Sequence, residues 1–216
     1  MLDMNNLVSI IDYGINNIQS VVQAFKYIGV KTIITNKPSD LINSSHIVIP
    51  GVGAFPEGMK KLKNLGLDKM IIHKAEQNSN ILGICLGMQM LFTKGYEFEE
   101  YDGLNLIPGK VLNIKNVNSS IKNLPIIGWR KTHSLLNNSQ NVLSKFLNGK
   151  NFYYLHSYQA IPSNDIDVIA YYKDINEVKI NAAISKKNIW GVQFHPEKSS
   201  DAGLEFLRNF SLLKKV

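Results

Sequence analysis

A strand, a helix and a second strand follow one another at the start of this 216-residue chain. The β-branched run from Leu7 to Asp12 predicts a buried strand. Apolar residues then recur at three- and four-residue steps from Ile18 to Ile28, as on one face of a helix, and residues 31–35 form another β-branched run. This order predicts a βαβ unit, and such units require a parallel sheet covered by helices.

A third apolar run, from Ser45 to Pro50, leads directly into Gly51-Val52-Gly53, and helical spacing follows over residues 59–77 with an interruption near Gly66. A Pro and a Gly-x-Gly after a buried strand place closely approachable backbone at the carboxyl edge of the sheet, where open α/β sheets bind ligands. An ordinary tight turn into the next helix explains the same residues. A phosphate-binding Walker loop is not expected, because no Lys-Ser/Thr pair follows.

The next apolar run, residues 80–84, ends at Cys85, and an amphipathic segment with helical spacing continues to Phe92. Gly83 and Gly87 make the sequence around the thiol Gly-x-Cys-x-Gly, the pattern of a nucleophile elbow. In an elbow, a sharp strand-to-helix turn exposes the central side chain, and adjacent N–H groups can bind an oxyanion. Cys85 is the only cysteine of the chain, and a small buried hydrophobic residue is an equally good interpretation of it alone.

From Tyr96 onward the pattern changes to short apolar runs separated by polar, turn-rich segments. They predict antiparallel or mixed strands added to the parallel core, the last two forming a hairpin. An amphipathic helix, with Leu204, Leu207 and Phe210 at three-residue steps, ends the chain. The predicted strands are 109–114, 126–129, 151–156, 168–172, 180–185 and 188–194. We therefore predict an α/β fold with a mostly parallel central sheet flanked by helices, in a single domain over residues 1–216.

The second strand of the predicted hairpin leads into His195-Pro196-Glu197. A thiol attacks an amide carbonyl as the thiolate, so it needs a nearby base that also protonates the leaving amine. His195 is the best candidate for this base, and Glu197 is placed to orient its ring and stabilise the imidazolium. A single His at a strand end is more often a surface or capping residue. That interpretation is open for the other four histidines, His46, His73, His133 and His156.

Composition argues against several other classes of protein. The net charge is +7, but the Lys and Arg residues are scattered in short pairs, so nucleic acid is not expected as a partner. No apolar run approaches the roughly 20 residues of a membrane span. Residues 1–6 lack the basic-then-apolar order of a signal peptide, so we expect a cytoplasmic protein. One cysteine and dispersed histidines give no metal-ligand spacing, and neither a metal nor a cofactor is expected.

The segments around Cys85 and His195, together with residues 50–55 upstream, resemble the motifs of class I glutamine amidotransferases. Within that family the chain is most similar to the glutaminase subunits of imidazole glycerol phosphate synthase, and the similarity extends over essentially the whole sequence. Further matching segments are Asp12-Tyr13-Gly14 with Asn17, Gly103 to Gly109, Gly128-Trp129 and Tyr154 to Tyr158. The resemblance implies a flavodoxin-like α/β fold.

The resemblance also implies roles for individual residues. Cys85, His195 and Glu197 would form a triad that hydrolyses glutamine to glutamate and ammonia through a γ-glutamyl thioester. The residues that would bind the oxyanion through their backbone are Gly51, Val52, Gly53 and Leu86. The residues that would hold the substrate are Gln89, Ser157 and Tyr158.

A partner is implied as well, a HisF-like (β/α)8-barrel cyclase that receives ammonia through a tunnel and makes imidazole glycerol phosphate and AICAR in histidine biosynthesis. Trp129, Tyr153 and Lys198 match positions expected at that interface, and the partner would reorganise the oxyanion loop and raise a low basal activity. Residues 125–130 read Pro-Ile-Ile-Gly-Trp-Arg where the family usually has Pro-His-Met-Gly-Trp-Asn. Because this segment would face the partner, a paralogue that feeds a surface-sugar amidotransferase is an alternative, as is a free-standing cysteine hydrolase.

Overall fold

The computed structural model describes residues 7–14, 17–135 and 142–215. The strands are β1 (Val8–Ile11), β2 (Thr32–Thr35), β3 (His46–Ile49), β4 (Asn80–Ile84), β5 (Phe92–Gly95), β6 (Tyr101–Asp102), β7 (Ile107–Asn113), β8 (Ile126–Ser134), β9 (Asn151–His156), β10 (Tyr158–Pro162), β11 (Val168–Lys173), β12 (Lys179–Lys186) and β13 (Ile189–Val192). The α-helices are α1 (Ile18–Tyr27), α2 (Phe55–Asn64), α3 (Leu67–Glu76), α4 (Leu86–Met90), α5 (Ile114–Val117) and α6 (Ser200–Ser211). Short 3-10 turns lie at Pro38–Leu41, Ser144–Phe146, Asp165–Asp167 and Pro196–Lys198.

The main sheet has nine strands in the order β2-β1-β3-β4-β13-β12-β11-β8-β9. Its first five strands are parallel, so the predicted βαβ start of the chain is confirmed. Helices cover both faces. On β1, Val8 and Ile10 belong to the core that includes Phe25 of α1 and Phe206 of α6, whereas Ile11 faces the core under α2 and α3. Burial on both faces explains why this strand is apolar apart from Ser9, whose hydroxyl is hydrogen-bonded to that of Ser44.

The hairpin of β12 and β13 is also confirmed, and it changes the sheet from parallel to antiparallel, since β13 pairs with β4 in parallel and with β12 in antiparallel. Strands β11, β8 and β9 continue the antiparallel half. These are the added antiparallel strands that the sequence predicts. The α/β fold, a mostly parallel core flanked by helices with antiparallel strands added, is therefore the observed one.

A second sheet, in the order β10-β7-β5-β6, departs from the sequence-based expectations. The predicted strand at 109–114 lies here as β7 and not in the main sheet, and β5, β6 and β10 were not predicted. The helical spacing expected up to Phe92 is wrong beyond Met90, because Phe92 begins β5 and pairs with Ile107. Helix α2 also begins at Phe55, four residues before the predicted start, with Pro56 in its first turn, where Pro is favoured.

Loops after β1, β3, β4 and β13 meet at the carboxyl edge of the parallel strands, where the candidate residues lie. Within the described ranges, none of the helices combines the length and the apolar character that a membrane crossing needs. Residues 1–6, which bear on the expectation about a signal peptide, lie outside the described residues. The single domain over residues 1–216 stays a prediction.

Candidate active site

The backbone at Cys85 has the geometry of an elbow. Strand β4 ends at Ile84, α4 begins at Leu86, and Cys85 between them has φ +54° and ψ −108°, a strained conformation for a residue with a side chain. A Cβ atom at Gly87 would lie 1.8 Å from the Ile49 carbonyl oxygen, so a larger residue there would separate the helix from β3. Glycine is needed at this position because strand and helix pack backbone to backbone.

The imidazole of His195 lies beside a carboxylate. Its Nδ1 is 2.8 Å from Oε1 of Glu197, and both side chains are almost fully buried. The same carboxylate oxygen accepts a hydrogen bond of 2.7 Å from the amide of Asn17, just before α1. The sequence pattern around Asn17 indicates no role for its side chain. The carboxylate and the amide fix the imidazole ring and leave its second nitrogen, Nε2, without a hydrogen-bond partner among the residues that the structure describes.

Electrostatics make His195 a strong base. Burial lowers its pKa, but the interactions with Cys85 and Glu197 act in the opposite direction and prevail, so the pKa is raised to about 10. Because Nδ1 is held by Glu197, the proton exchange with a reacting group falls to Nε2. The pair can therefore hold a proton near neutral pH and pass it on, which is what a base and acid beside a thiol must do.

Cys85 and His195 open into the same cavity of about 230 Å³. Its walls hold most of the residues that the sequence predicted for the site, namely Val52, Gly53, Cys85, Leu86, Gln89, Ser157, Tyr158 and His195. Four lining residues were missed, Glu97, Pro125, Leu155 and His156. The cavity is suited to a substrate smaller than the drug-sized ligands of larger pockets.

The loop after β3 lies against the elbow in a closed arrangement. The N–H of Leu86, at the start of α4, donates a hydrogen bond of 3.3 Å to the carbonyl oxygen of Gly51. Gly53 has φ +109°, and the Tyr13 hydroxyl donates to the Pro50 carbonyl at 2.7 Å. The Leu86 N–H is therefore occupied by the chain's own carbonyl group, at the point where an elbow would offer it to an oxyanion.

A family model described as glutamine amidotransferase class-I matches residues 9–213. The chain belongs to the class I glutamine amidotransferase family. Among curated relatives, this amidotransferase is 41% identical over 210 residues to the imidazole glycerol phosphate synthase subunit HisH of Lactococcus lactis, covering 93% of this chain and 96% of the relative. It is 37% identical over 207 residues to HisH of Chlorobium chlorochromatii, covering 96% of this chain and all of the relative.

Solved structures support the same fold. One titled as a glutamine amidotransferase has a TM-score of 0.73 at 15% identity, covering 95% of this amidotransferase and 99% of that chain. A chain from the structure of PurLQS of Thermotoga maritima has a TM-score of 0.69 at 20% identity, covering 96% and 98%. At such identities the likeness shows the fold alone.

Glu97 of this amidotransferase brings a carboxylate to the cavity. Its Oε2 accepts the N–H of Phe55, the first residue of α2, at 2.7 Å. Burial raises the pKa of this carboxyl group, and the bond from Phe55 opposes the rise. The sequence carries no signal for this placement, because Glu97 stands in a polar, turn-rich segment with other acidic residues.

The four histidines other than His195 differ in burial. His73 is exposed, as expected, but the surface or capping interpretation is wrong for His46 and His156, which are buried. His46 bonds Asn80 through Nε2, and burial lowers its pKa. His46 also bonds the adjacent Ser45, and His156 bonds Tyr158, two residues away, and Tyr172.

The residues matched to a partner interface lie together on the surface. The ring centroids of Trp129 on β8 and Tyr153 on β9 are 6.1 Å apart in an edge-to-face arrangement, and Trp129 is half exposed. Lys198 is exposed and follows His195, whose N–H donates to the Tyr153 carbonyl at 2.9 Å. Ile127, on the same face of β8 as Trp129, is also exposed. An exposed aromatic and aliphatic surface therefore adjoins the candidate site.

No group of three or more His, Cys, Asp or Glu side chains that could hold a metal ion occurs within the described ranges. The expectation that this amidotransferase uses neither a metal nor a cofactor stays a prediction.

Proposed function

We propose that the chain is a glutaminase subunit that hydrolyses glutamine to glutamate and ammonia and delivers the ammonia to a HisF-like (β/α)8-barrel cyclase. Together the two would make imidazole glycerol phosphate and AICAR in histidine biosynthesis. The observation that carries the chemistry is the strained elbow of Cys85, which shares a cavity with a carboxylate-backed His195. Similarity to HisH subunits over most of their length supports the pathway.

In the proposed mechanism, glutamine enters the cavity with its side-chain amide at Cys85. The carboxylate of Glu97 pairs with the substrate's α-ammonium group, and Gln89 with the Ser157–Tyr158 segment holds the rest. The lining of the cavity supports this assignment, because Glu97 is the one acidic side chain among the described residues that line it. A free amino acid carries a positive and a negative end, so a site for glutamine needs a carboxylate for the first.

The Cys85 thiolate attacks the amide carbon, forming a C–S bond and an oxyanion. His195 donates the proton on Nε2 to the amide nitrogen, the C–N bond breaks, and ammonia leaves. His195 then takes a proton from a water molecule that attacks the thioester, which releases glutamate and restores the thiolate. Glu197 and Asn17 keep the ring oriented throughout and stabilise its charged form.

The oxyanion must displace the Gly51 carbonyl before the Leu86 N–H can bind it, because that N–H is engaged in the free chain. We therefore propose that the partner reorganises the loop at Gly51, Val52 and Gly53, and that the chain alone hydrolyses glutamine slowly. Trp129, Tyr153 and Lys198 are the proposed contacts through which the partner binds. The match of the family model over residues 9–213 supports a single domain as the glutaminase unit.

The test compares two nitrogen sources. The chain is mixed with its co-purifying barrel protein and the nucleotide precursor of imidazole glycerol phosphate, and product formation is measured with glutamine and with ammonium salt. Glutamine should support formation of the imidazole product. In a matched sample with Cys85→Ala, glutamine-dependent synthesis should disappear while ammonium-dependent synthesis remains, since the barrel's own chemistry is untouched.

Two other outcomes would change the assignment. If glutamine is hydrolysed only beside a different synthase, the chemistry holds but the pathway is that of the surface-sugar amidotransferases, and residues 125–130 are the first place to look for the cause. If hydrolysis is fast without any partner and ammonia escapes to solvent, the chain is a free-standing cysteine hydrolase.

A further inference from the structure

A line of hydrogen-bonded polar groups leads through the protein to the sulfur of Cys85. Gln193 is fully buried, and its Nε2 lies 3.7 Å from Cys85 Sγ. Its Oε1 accepts a hydrogen bond of 3.1 Å from Nε2 of Gln89. The same Gln89 nitrogen lies 3.4 Å from the carbonyl oxygen of Tyr158. That carbonyl oxygen is 2.8 Å from Nδ1 of His156, so the five residues form one connected chain of contacts.

The direction of every bond in this chain is set at the Tyr158 carbonyl, because a carbonyl oxygen can only accept hydrogen bonds. His156 must carry its proton on Nδ1, and its Nε2 then accepts from the hydroxyl of Tyr172, 2.8 Å away. Burial lowers the pKa of His156 to about 4, opposed by the bond to Tyr158 and assisted by nearby His195. The ring is therefore neutral near pH 7.

The orientations of the two glutamine amides follow from the acceptor at Tyr158 and determine which group faces the thiol. One N–H of Gln89 faces the Tyr158 carbonyl and the other meets Oε1 of Gln193, so the amide nitrogen of Gln193 faces Cys85. The sulfur also lies 3.8 Å from the Leu155 carbonyl oxygen, which accepts its S–H while the thiol is protonated. After ionisation the sulfur is an acceptor only, and the Gln193 amide is positioned to donate to it.

We propose that Gln193 is a further catalytic residue, whose amide donates a hydrogen bond to the Cys85 thiolate, with Gln89 as the residue that orients this amide. The inference rests on the proposed function, in which Cys85 is the nucleophile. A hydrogen bond to the charged form of a group favours that form, so Gln193 increases the fraction of thiolate. His195 and Gln193 would then stabilise the same sulfur anion by two different routes.

The titratable groups that face Cys85 come from four elements. They are His195 after β13, Tyr13 after β1, His156 at the end of β9, and Glu97, which lines the cavity. Burial and the nearby Cys85 raise the pKa of Tyr13, which keeps its hydroxyl neutral. All four remain in a variant at position 193, so a difference from the unaltered protein reports on the amide alone.

The test is alkylation of Cys85 by iodoacetamide in the full-length chain, measured from pH 5 to pH 10. Cys85 is the only thiol, so the labelled fraction reports it directly. In Gln193→Leu the rate at pH 7 should fall about tenfold or more, as expected for the loss of a hydrogen bond to a charged group. The midpoint of the pH profile should move up while the plateau at high pH is kept.

A second variant covers the case in which Gln193→Leu does not fold. Gln89→Met leaves Gln193 in place but removes the donor that orients its amide, and a smaller shift of the midpoint, about threefold in rate at pH 7, is expected. Thr132→Val is the matched control. It deletes the hydroxyl that bonds Tyr154, a buried pair at 2.7 Å outside the relay, and should leave the profile unchanged.

The inference is overturned if both variants fold and keep the midpoint of the unaltered protein, or if Thr132→Val shifts it equally. These results are distinct from failure of the proposed function. Glutamine hydrolysis that survives Cys85→Ala would remove the thiol as nucleophile. If the midpoint of the alkylation profile is unchanged and hydrolysis still depends on Cys85, only the proposed role of Gln193 is excluded.

Discussion

The two sides of the cavity are prepared to different degrees. On the nucleophile side, Cys85 is held in a strained elbow and His195 is fixed by a carboxylate at 2.8 Å. On the oxyanion side, the N–H of Leu86 is bonded to the chain's own Gly51 carbonyl at 3.3 Å. The groups proposed to make and break bonds are therefore in place, whereas the group that would stabilise the developing charge is engaged elsewhere.

The difference follows from what holds each side. The elbow and His195 stand at the ends of β4 and β13, which pair with each other and are buried on both faces. The loop from Gly51 to Gly53 is held mainly through its backbone, because two of its three residues are glycines, and Gly53 has a positive φ. We propose that such a site keeps its nucleophile ready and controls its rate by rearrangement of the Gly51 peptide group.

The largest effect is expected on the nucleophile side. Cys85→Ala should lower glutamine hydrolysis by more than about 1000-fold, since the covalent route is lost. Thermal unfolding should change little, because Cys85 fills only a small part of the apolar core. Glutamate release and a melting curve followed by circular dichroism measure the two quantities. Turnover near that of the unaltered protein would rule out the thiol as nucleophile.

The support of His195 can be tested with Glu197→Gln. Hydrolysis should fall about 1000-fold, because the amide no longer stabilises the imidazolium. The pKa of His195 is about 10 in the folded protein, above its ordinary value of 6.5. The resulting stabilisation is fully present below pH 6.5 and is lost as the pH rises to about 10.

Urea unfolding at a series of pH values checks this prediction. The free energy of unfolding of the unaltered protein should fall between pH 6.5 and 10, and Glu197→Gln should show a smaller fall over the same interval. Parallel curves for the two proteins would contradict a contribution of this carboxylate, beside that of Cys85, to the raised pKa of His195.

The next largest effect on the rate of glutamine hydrolysis is expected on the oxyanion side. Adding the barrel partner with its nucleotide should raise the rate of glutamine hydrolysis about 100-fold, the typical value of one oxyanion donor. If the nucleophile side is already formed, alkylation of Cys85 in the free chain should need no partner. Equal hydrolysis rates with and without partner would remove the proposed rearrangement of the Gly51 loop.

The smallest effect concerns substrate binding. Glu97→Gln should raise the KM for glutamine about tenfold with a smaller change in kcat, because it removes the charge proposed to pair with the α-ammonium group. Glu99→Gln is the matched control, since Glu99 is exposed two residues away. Steady-state kinetics at saturating partner concentration measures both. A similar KM for the two variants would exclude Glu97 from the substrate site.

The elements of the fold that depend on local patterns were predictable from the sequence. Apolar spacing predicts the buried strands before Cys85 and Gly51, the helix from Ile18 and the final helix. The two strands are neighbours in the parallel part of the sheet. The elbow was also predictable from the sequence, because the close packing against the Ile49 carbonyl admits only glycine at position 87 and this glycine is part of the motif.

Positions that depend on contacts between distant segments were not predictable. Asn17 meets Glu197 across 180 residues, and Glu97 reaches the start of α2 from a loop 42 residues later. The second sheet joins short strands that carry little pattern of their own, so pairing with neighbours decides their structure more than propensity does.

By itself, the sequence indicated the groups that we propose do the chemistry, because Cys85, His195 and Glu197 lie within a few residues of strand ends that their own apolar runs specify. Only the tertiary structure decided how those groups are tuned. Packing between segments far apart in the chain produces three features: the hydrogen bond from Leu86 N–H to the Gly51 carbonyl, the buried neutral His156, and the amide of Gln193 beside the sulfur. Hydrogen-bond direction and desolvation depend on distance in space, and neither is encoded in local spacing.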